Sequence, residues 1–219
     1  MTQTALEQVN SNREFRELAD FLNTAKYLHL VLEFVRGSGW GLSFHNDPYG
    51  ADFMEQVAGK PDKTRIARLT KINAALKFAV PQLDELELWK DNLGKPHLRG
   101  KYLHWRPQGG WQTEEDFSDG TIRLLGILWA LLDGKGPIIF EEPELSLHAE
   151  VVRYIPQLFA RTRSASARQI ILSTHSTELL SDSGIGIDEV ILLLPQTEGT
   201  RVTLAADIAE VAELLSGGS

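Results

Sequence analysis

The chain has 219 residues, enough for one domain with a sizeable core or one domain with an insertion. Its formal net charge of −8 disfavours general nucleic-acid coating, and the absence of cysteine excludes disulfides and thiolate metal sites. No apolar run approaches the roughly 18 residues of a membrane helix and no signal peptide is recognisable, so we expect a cytoplasmic protein without a membrane partner.

The first third of the chain predicts two helices separated by a glycine-rich loop. Residues 12–36 carry apolar side chains at spacings of three and four, which is the period of an amphipathic helix. The loop is "GSGWGLSFHNDPYG", residues 37–50. A second helix is predicted over residues 62–79, because apolar residues again recur at helical spacing and Pro81 follows its end.

Residues 85–107 predict a β-hairpin that turns near "DNLG". Lys95, His97, Arg99 and Lys101 alternate along its second arm and therefore lie on one face of a strand. These side chains could contact phosphates, but an exposed polar face is the interpretation that we favour.

From residue 118 the pattern predicts apolar strands alternating with helices. The short apolar runs at 136–142, 168–176 and 188–195 suit strands of one parallel sheet that helices cover on both faces. A helix is predicted over 147–163, and "DGTIRLLGILWALLDG" is apolar on nearly all sides, which predicts a buried helix. This half therefore has an α/β architecture.

Two adjacent carboxylates, Glu141 and Glu142, end the first of these strands. Ligands of such sheets bind beyond the carboxyl ends of the strands, and the next strand ends in a polar segment that includes His175. Like charges beside a core are costly without a cation, so something must compensate the two glutamates.

A magnesium nucleotide would account for this arrangement. Glu141 would hold Mg²⁺ directly or through its waters, and Glu142 would polarise a water for attack on a phosphoryl group. His175 could hydrogen-bond the terminal phosphate. Each residue taken alone also has a purely structural interpretation.

The start of the buried helix offers a further anion site. In "FSDGT", residues 117–121, Ser118 or Asp119 is the expected N-cap, and Gly120 permits close backbone approach. Backbone amides at a helix start bind anions.

The order of these motifs resembles the ABC-type ATPase heads of SMC-like proteins and of bacterial AAA-labelled ATPases related to the overcoming-lysogenization-defect group. "DFSDGTIRLLGILWALL" resembles their signature motif, "PIIFEEPELSLH" their Walker B strand and D-loop, and "QIILSTHSTELL" their switch-histidine segment.

This resemblance implies a P-loop NTPase-like fold with ATP and Mg²⁺ as ligands. It also implies a helical and hairpin lobe over residues 1–115, and the C-terminal half of an ATPase core over residues 116–219. Two such heads sandwich ATP, so Ser118, Asp119, Gly120 and Thr121 would contact nucleotide across a homodimer interface. Glu142 and His175 would be catalytic.

Two features depart from the family pattern. The metal position, usually Asp, is Glu141, and no G-x-x-x-x-G-K-[ST] occurs, although that loop normally cradles the β- and γ-phosphates. The Gly-Lys pairs at 59–60, 94–95 and 134–135 lack the rest of the motif. The simplest account is that the Walker A lobe precedes this sequence or belongs to a separate chain.

Two functions therefore remain open from the sequence. One is an ATPase head that needs a Walker A lobe, and the other is a non-catalytic, degenerate head that serves as a dimerisation module. A fused nuclease is disfavoured because the chain leaves no room for one. A role with DNA fits the family, but no residue in the sequence indicates it.

Overall fold

The computed structural model describes residues 15–38, 46–103, 110–163 and 168–211. Parts of three predicted elements lie outside these ranges: the start of the helix predicted over 12–36, most of the glycine-rich loop, and the end of the hairpin arm beyond residue 103.

The α-helices of the described residues are α1 (Arg16–Asn23), α2 (Phe53–Ala58), α3 (Asp62–Leu76), α4 (Asp119–Leu132), α5 (Ala149–Val152), α6 (Ile155–Arg163) and α7 (Thr177–Leu180). The β-strands are β1 (Lys26–Leu28), β2 (Leu83–Lys90), β3 (Pro96–Tyr102), β4 (Trp111–Thr113), β5 (Ile138–Glu141), β6 (Ile170–Ser173), β7 (Ile191–Gln196) and β8 (Gly199–Leu204). A π-helical turn covers Phe34–Ser38.

A parallel sheet with the strand order β1-β5-β6 carries the predicted site, which confirms the α/β class. The helix predicted over 12–36 is wrong beyond Asn23, because Lys26–Leu28 forms β1 and pairs with Ile138–Phe140. The sheet therefore contains strands from both sides of the domain boundary that is predicted between residues 115 and 116. The boundary itself stays a prediction. A strand this short is stabilised by its pairing with β5 and not by local sequence.

The prediction that the apolar run at 188–195 joins this sheet is wrong. Strand β7 instead pairs antiparallel with β8 through a tight turn after Gln196. Ile191, Leu193 and Val202 are exposed on this ribbon. A continuous apolar run therefore indicated a strand correctly, but it did not indicate which sheet the strand belongs to.

The predicted hairpin is confirmed by the antiparallel pairing of β2 with β3, and β4 adds a third strand that was not predicted. Two of the alternating cations on β3 are paired with carboxylates on β2. Arg99 Nε lies 2.6 Å from Glu87 Oε1, and Lys101 Nζ lies 2.7 Å from Glu85 Oε1. These pairs favour the polar-face interpretation over phosphate binding for Arg99 and Lys101, whereas His97 is buried and so departs from the predicted exposed face.

Helix α4 lies at the centre of the core, as its sequence predicts. Its residues from Thr121 to Leu131 are all buried, and Trp129 is among the largest fully buried side chains. The helix predicted over 147–163 is divided into α5 and α6. Pro156 lies in the first turn of α6, where its missing N–H is tolerated, whereas in an unbroken helix it would clash with the preceding turn.

A cluster around Asp133 connects distant parts of the chain. Its carboxylate lies 2.8 Å from Lys26 Nζ, 2.7 Å from Lys60 Nζ and 2.8 Å from Arg68 Nη1. Burial alone would raise the pKa of Asp133, but the hydrogen bonds from the three cations outweigh it and hold that pKa well below its usual range. The cluster ties α4 to β1 and α3.

Candidate active site at the carboxyl ends of β5 and β6

The structure brings Glu142 and His175 together at one edge of the parallel sheet. His175 Nε2 lies 3.6 Å from Glu142 Oε1. The backbone N–H of Glu142 donates to the Ser173 carbonyl at 3.0 Å, which extends the β5–β6 pairing by one residue. The His175 side chain is 91% exposed, so it can reach a ligand beyond the sheet.

The backbone of Glu142 adopts a left-handed conformation with φ of +44°. A side chain other than glycine pays about 1–3 kcal/mol in such a region, and residues of this kind cluster at functional sites. The unusual φ turns the chain sharply at the end of β5. As a result, Glu142 lies beside β6 while its neighbour Glu141 contacts β1.

Two residues that the sequence did not indicate lie next to Glu141, and one of them, Tyr27, is hydrogen-bonded to it. The Tyr27 hydroxyl donates a hydrogen bond to Glu141 Oε2, and His29 Nδ1 lies 3.7 Å from the same oxygen. The Glu141 side chain remains 43% exposed. Tyr27 and His29 fall within the helix predicted over 12–36, so no pattern in the sequence indicated that they lie next to Glu141. A prediction of strand β1 would have been needed to place them at this edge of the sheet.

Glu144 fixes the backbone next to His175. The Thr174 hydroxyl donates to Glu144 Oε1, and the His175 backbone N–H donates to the same atom at 3.3 Å. Within the described residues, the buried Oε2 of Glu144 has no hydrogen-bond partner. Glu144 therefore positions the segment that carries the exposed histidine.

Arg123 supplies a buried cation whose charge acts on Glu142 and Glu144. It lies one turn into α4 and is only 5% exposed. Burial lowers the pKa of the Arg123 guanidinium, and the negative charges of Asp119, Glu144 and Glu142 oppose this shift. A guanidinium stays protonated at neutral pH, so its positive charge lowers the cost of gathering carboxylates at this edge.

The predicted anion site at the start of α4 forms a regular helix cap. Ser118 is the N-cap: its Oγ accepts from the Thr121 N–H at 3.2 Å and lies 2.8 Å from Thr121 Oγ1. Ser118 and Asp119 are exposed, whereas Thr121 is buried. A Cβ on Gly120 would lie 3.3 Å from Leu147 Cδ2, so the glycine permits close packing against the loop after β5.

Arg36, in the π-helical turn, also contacts this helix start. Its Nη2 donates to the Phe117 carbonyl at 2.7 Å and to Asp119 Oδ1 at 2.8 Å. The contact joins the N-terminal part of the chain to the segment that resembles the signature motif. No pattern in the sequence indicated the contact of Arg36 with the start of α4, because Arg36 is a single arginine that follows an apolar run.

The carboxylate oxygens at the edge of the parallel sheet are of the kind that binds Mg²⁺. Glu141 offers a partly exposed carboxylate, and hard oxygen ligands with several retained waters are what this ion prefers. The start of α4 lies beside the loop after β5, yet the polar contacts of Ser118 and Thr121 are with each other. The ligand roles of Ser118, Asp119, Gly120, Thr121, Glu141, Glu142 and His175 stay predictions.

The parallel sheet and its flanking helices match the P-loop NTPase-like fold of SMC heads. The model of the family described as "AAA domain, putative AbiEii toxin, Type IV TA system" matches residues 3–181. The chain belongs to this family and is an ATPase-type nucleotide-binding module. A comparison with curated proteins found no match.

Among solved structures, the chain is similar to an SMC head bound to the C-winged helix domain of ScpA, with a TM-score of 0.57 and 14% identity over 86% of this chain and 60% of that chain. An SMC head from Pyrococcus furiosus, bound to the C-terminal domain of ScpA, has a TM-score of 0.48 and 14% identity over 69% of this chain and 37% of that chain. A structure from a study of ATP-driven dimerisation of SMC ATPases has a TM-score of 0.48 and 15% identity, and covers 74% of this chain and 95% of that chain. Only the first similarity supports the fold, and identity this low supports nothing beyond it.

In the described residues, no helix is long and apolar enough to cross a bilayer.

Proposed function

We propose that the chain is part of an ATP-hydrolysing ABC-like head whose catalytic edge is formed by Glu142 and His175. The observation that carries the proposal is the 3.6 Å approach of His175 Nε2 to Glu142 Oε1 beyond two adjacent parallel strands. Ligands of such sheets bind at this edge. A carboxylate and an exposed imidazole at one point suit the activation of water beside a phosphate.

The roles follow from the chemistry of each side chain. Glu142 accepts a hydrogen bond from the attacking water and takes up its proton as the water oxygen bonds to the γ-phosphorus of ATP. The bond from that phosphorus to the β–γ bridging oxygen breaks, and ADP and phosphate are released. His175 donates to a γ-phosphate oxygen. Glu141 would hold Mg²⁺, which when bound would neutralise part of the phosphate charge. The positive charge of Arg123 attracts the carboxylates of Glu142 and Glu144.

We expect the loop that binds the β- and γ-phosphates, here called the phosphate cradle, to come from a separate Walker A lobe. No Walker A motif occurs in the 219 residues, and Lys60 of the Gly59–Lys60 pair is bound to Asp133. In the described part of the chain, β6 pairs on one side only, and Ile171 on this strand is 46% exposed. A lobe whose strand pairs with the open side of β6 would lie next to the segment that carries His175.

A second copy of the chain is the partner that the signature-like segment suits. Ser118 and Asp119 are exposed at the start of α4, where a helix N-terminus attracts anions. In the proposed homodimer, Ser118 to Thr121 of one head contact the nucleotide held by the other. DNA binding is compatible with this function, although no described residue argues for it.

The alternative is a non-catalytic head that retains only an interaction surface. The absence of a Walker A motif favours it, because phosphoryl transfer depends on positioning and charge stabilisation. Without a cradle, Glu142 has no aligned γ-phosphate to act on. The two functions predict different results when a Walker A lobe is added. An ATPase head would then bind and hydrolyse ATP, whereas a non-catalytic head would not.

The test is a nucleotide titration with and without Mg²⁺ on this chain, on an N-terminally extended form, and on a mixture with a separate Walker A lobe. We expect weak or no ATP binding and no appreciable turnover for this chain alone. Supplying the lobe should restore binding and turnover together.

Failure of both additions to restore binding would favour the non-catalytic head. Steady ATP turnover by the 219-residue chain that disappears in Glu142→Gln would overturn the need for a separate lobe.

A further inference from the structure

The three-stranded sheet, which does not contain the strands that carry Glu142 and His175, holds a cluster of potential metal ligands. His97 lies on β3, and Glu114 and Glu115 directly follow β4. One ligand atom from each of the three residues lies within 4.8 Å of the other two. The Glu114 backbone N–H donates to the Leu98 carbonyl at 2.9 Å, which continues the β3–β4 pairing and places Glu114 beside His97.

The burial of these side chains leaves a carboxylate oxygen unsatisfied. Glu114 is 1% exposed and His97 is 8% exposed. Glu114 Oε1 lies 2.7 Å from His97 Nδ1, whereas within the described residues the buried Oε2 has no hydrogen-bond partner. A buried carboxylate oxygen without a donor or a cation is costly, so this atom indicates a missing ligand.

Asp91 lies next to the other ring nitrogen of His97. Its Oδ2 lies 3.6 Å from His97 Nε2, while its Oδ1 accepts from the backbone N–H groups of Leu93 at 2.9 Å and Lys95 at 2.8 Å. The turn therefore holds Asp91 in place. The 2.7 Å contact between Nδ1 and Glu114 Oε1 needs a proton between these atoms, and a metal ion at Nδ1 would take the place of that proton. Asp91 lies on the side of Nε2, where a carboxylate can accept from the N–H of a metal-bound histidine.

The charge of the cluster also favours a cation. Three carboxylates, from Asp91, Glu114 and Glu115, surround a single imidazole. Even a protonated His97 would leave the group with an excess of negative charge. Trp89 packs against the His97 ring with centroids 5.9 Å apart, so one side of the cluster is apolar and restricts solvent.

We propose that His97 Nδ1 and the carboxylates of Glu114 and Glu115 bind a divalent transition-metal ion, with Zn²⁺ the best match. One imidazole and two carboxylates suit Zn²⁺, whereas Mg²⁺ and Ca²⁺ prefer oxygen ligands alone. Binding separates His97 Nδ1 from Glu114 Oε1, since two ligands about 2.0–2.2 Å from a tetrahedral ion are more than 3 Å apart. The metal would join β3 to the chain after β4.

The test is titration of tag-free full-length chain with Zn²⁺, followed by calorimetry, and with Co²⁺, followed by its ligand-field absorption. We expect one equivalent to bind and to raise the melting temperature. Glu115→Gln is the main variant, because Glu115 is exposed and its loss leaves the fold intact. It should weaken Zn²⁺ binding by about tenfold or more, and His97→Gln should also change the Co²⁺ spectrum.

Two control variants isolate this site. Glu85→Gln removes a negative charge from the same sheet without removing a ligand, and His29→Gln combined with His175→Gln removes the imidazoles at the ATPase edge. Both should retain the affinity of the unmodified chain. The proposal is overturned if the unmodified chain binds no Zn²⁺, or if Glu115→Gln binds as tightly as Glu85→Gln.

Discussion

His175 Nε2 lies 3.6 Å from Glu142 Oε1, although 32 positions separate the two residues in the chain. The pairing of β5 with β6 creates this approach, because the strands run parallel and end at the same edge. The expectation that both residues lie at one edge is thereby confirmed. The catalytic roles of both residues stay predictions.

Replacing Glu142 by Gln should separate binding from turnover in a form that carries the phosphate cradle. The amide keeps the shape of the side chain but removes the charge that polarises water. We expect ATP affinity to be largely retained and turnover to fall about 10²-fold or more. Glu150→Gln, an exposed change on α5, is the control. Equal losses of binding and turnover would identify Glu142 as a structural carboxylate.

Replacing Arg123 by Gln should destabilise the chain, because Glu142 and Glu144 lose the buried positive charge behind them. We expect a loss of about 2 kcal/mol in the free energy of unfolding, below the roughly 3–5 kcal/mol for a buried pair in direct contact. Urea unfolding measures this difference. Combining the change with Glu144→Gln should recover part of the loss, and strictly additive losses would contradict the electrostatic role.

Replacing Asp133 by Asn should leave Lys26, Lys60 and Arg68 without their shared carboxylate. We expect a loss of about 3 kcal/mol at neutral pH, measured by chemical unfolding. Glu198→Gln, on the exposed turn between β7 and β8, is the control and should change little.

The same cluster predicts a pH dependence. The pKa of Asp133 is depressed in the folded state, so its stabilisation is fully present above the unfolded pKa of about 3.9 and is lost as pH falls towards the folded pKa. In that window the unfolded chain binds a proton that the folded chain does not. Unfolding measured at a series of acidic pH values should show a shallower decline for Asp133→Asn. Identical slopes in the two proteins would contradict this.

Replacing Gly136 by Ala tests the β1 strand that the sequence did not predict. A Cβ at this position would lie 2.1 Å from Thr24 Oγ1 and 2.3 Å from the Thr24 carbonyl oxygen, so the backbone next to β1 must move. We expect a loss of about 2 kcal/mol in the free energy of unfolding. Lys135→Ala, at the exposed neighbouring position, should stay within about 0.5 kcal/mol. A harmless Gly136→Ala would argue against the β1–β5 pairing.

Local patterns in the sequence determined several features correctly. The apolar sequence of α4 predicted a buried helix, and Ser118 was one of its two expected N-caps. The "DNLG" turn predicted the β2–β3 hairpin, and the glutamate pair predicted the polar edge of the sheet. Caps, turns and strand ends depend on neighbours within a few positions, so the sequence carries them directly.

Only the tertiary structure decided where β1 and β7 pair and which cation faces the glutamates. Strand β1 is stabilised by β5, more than 100 residues away in the chain, and β7 pairs with the strand that follows it. Arg123 acts on Glu142 and Glu144 only because α4 packs beneath the loop after β5. Periodicity reports which face of an element is apolar, but it does not report which distant element covers that face or whose charge lies beside it.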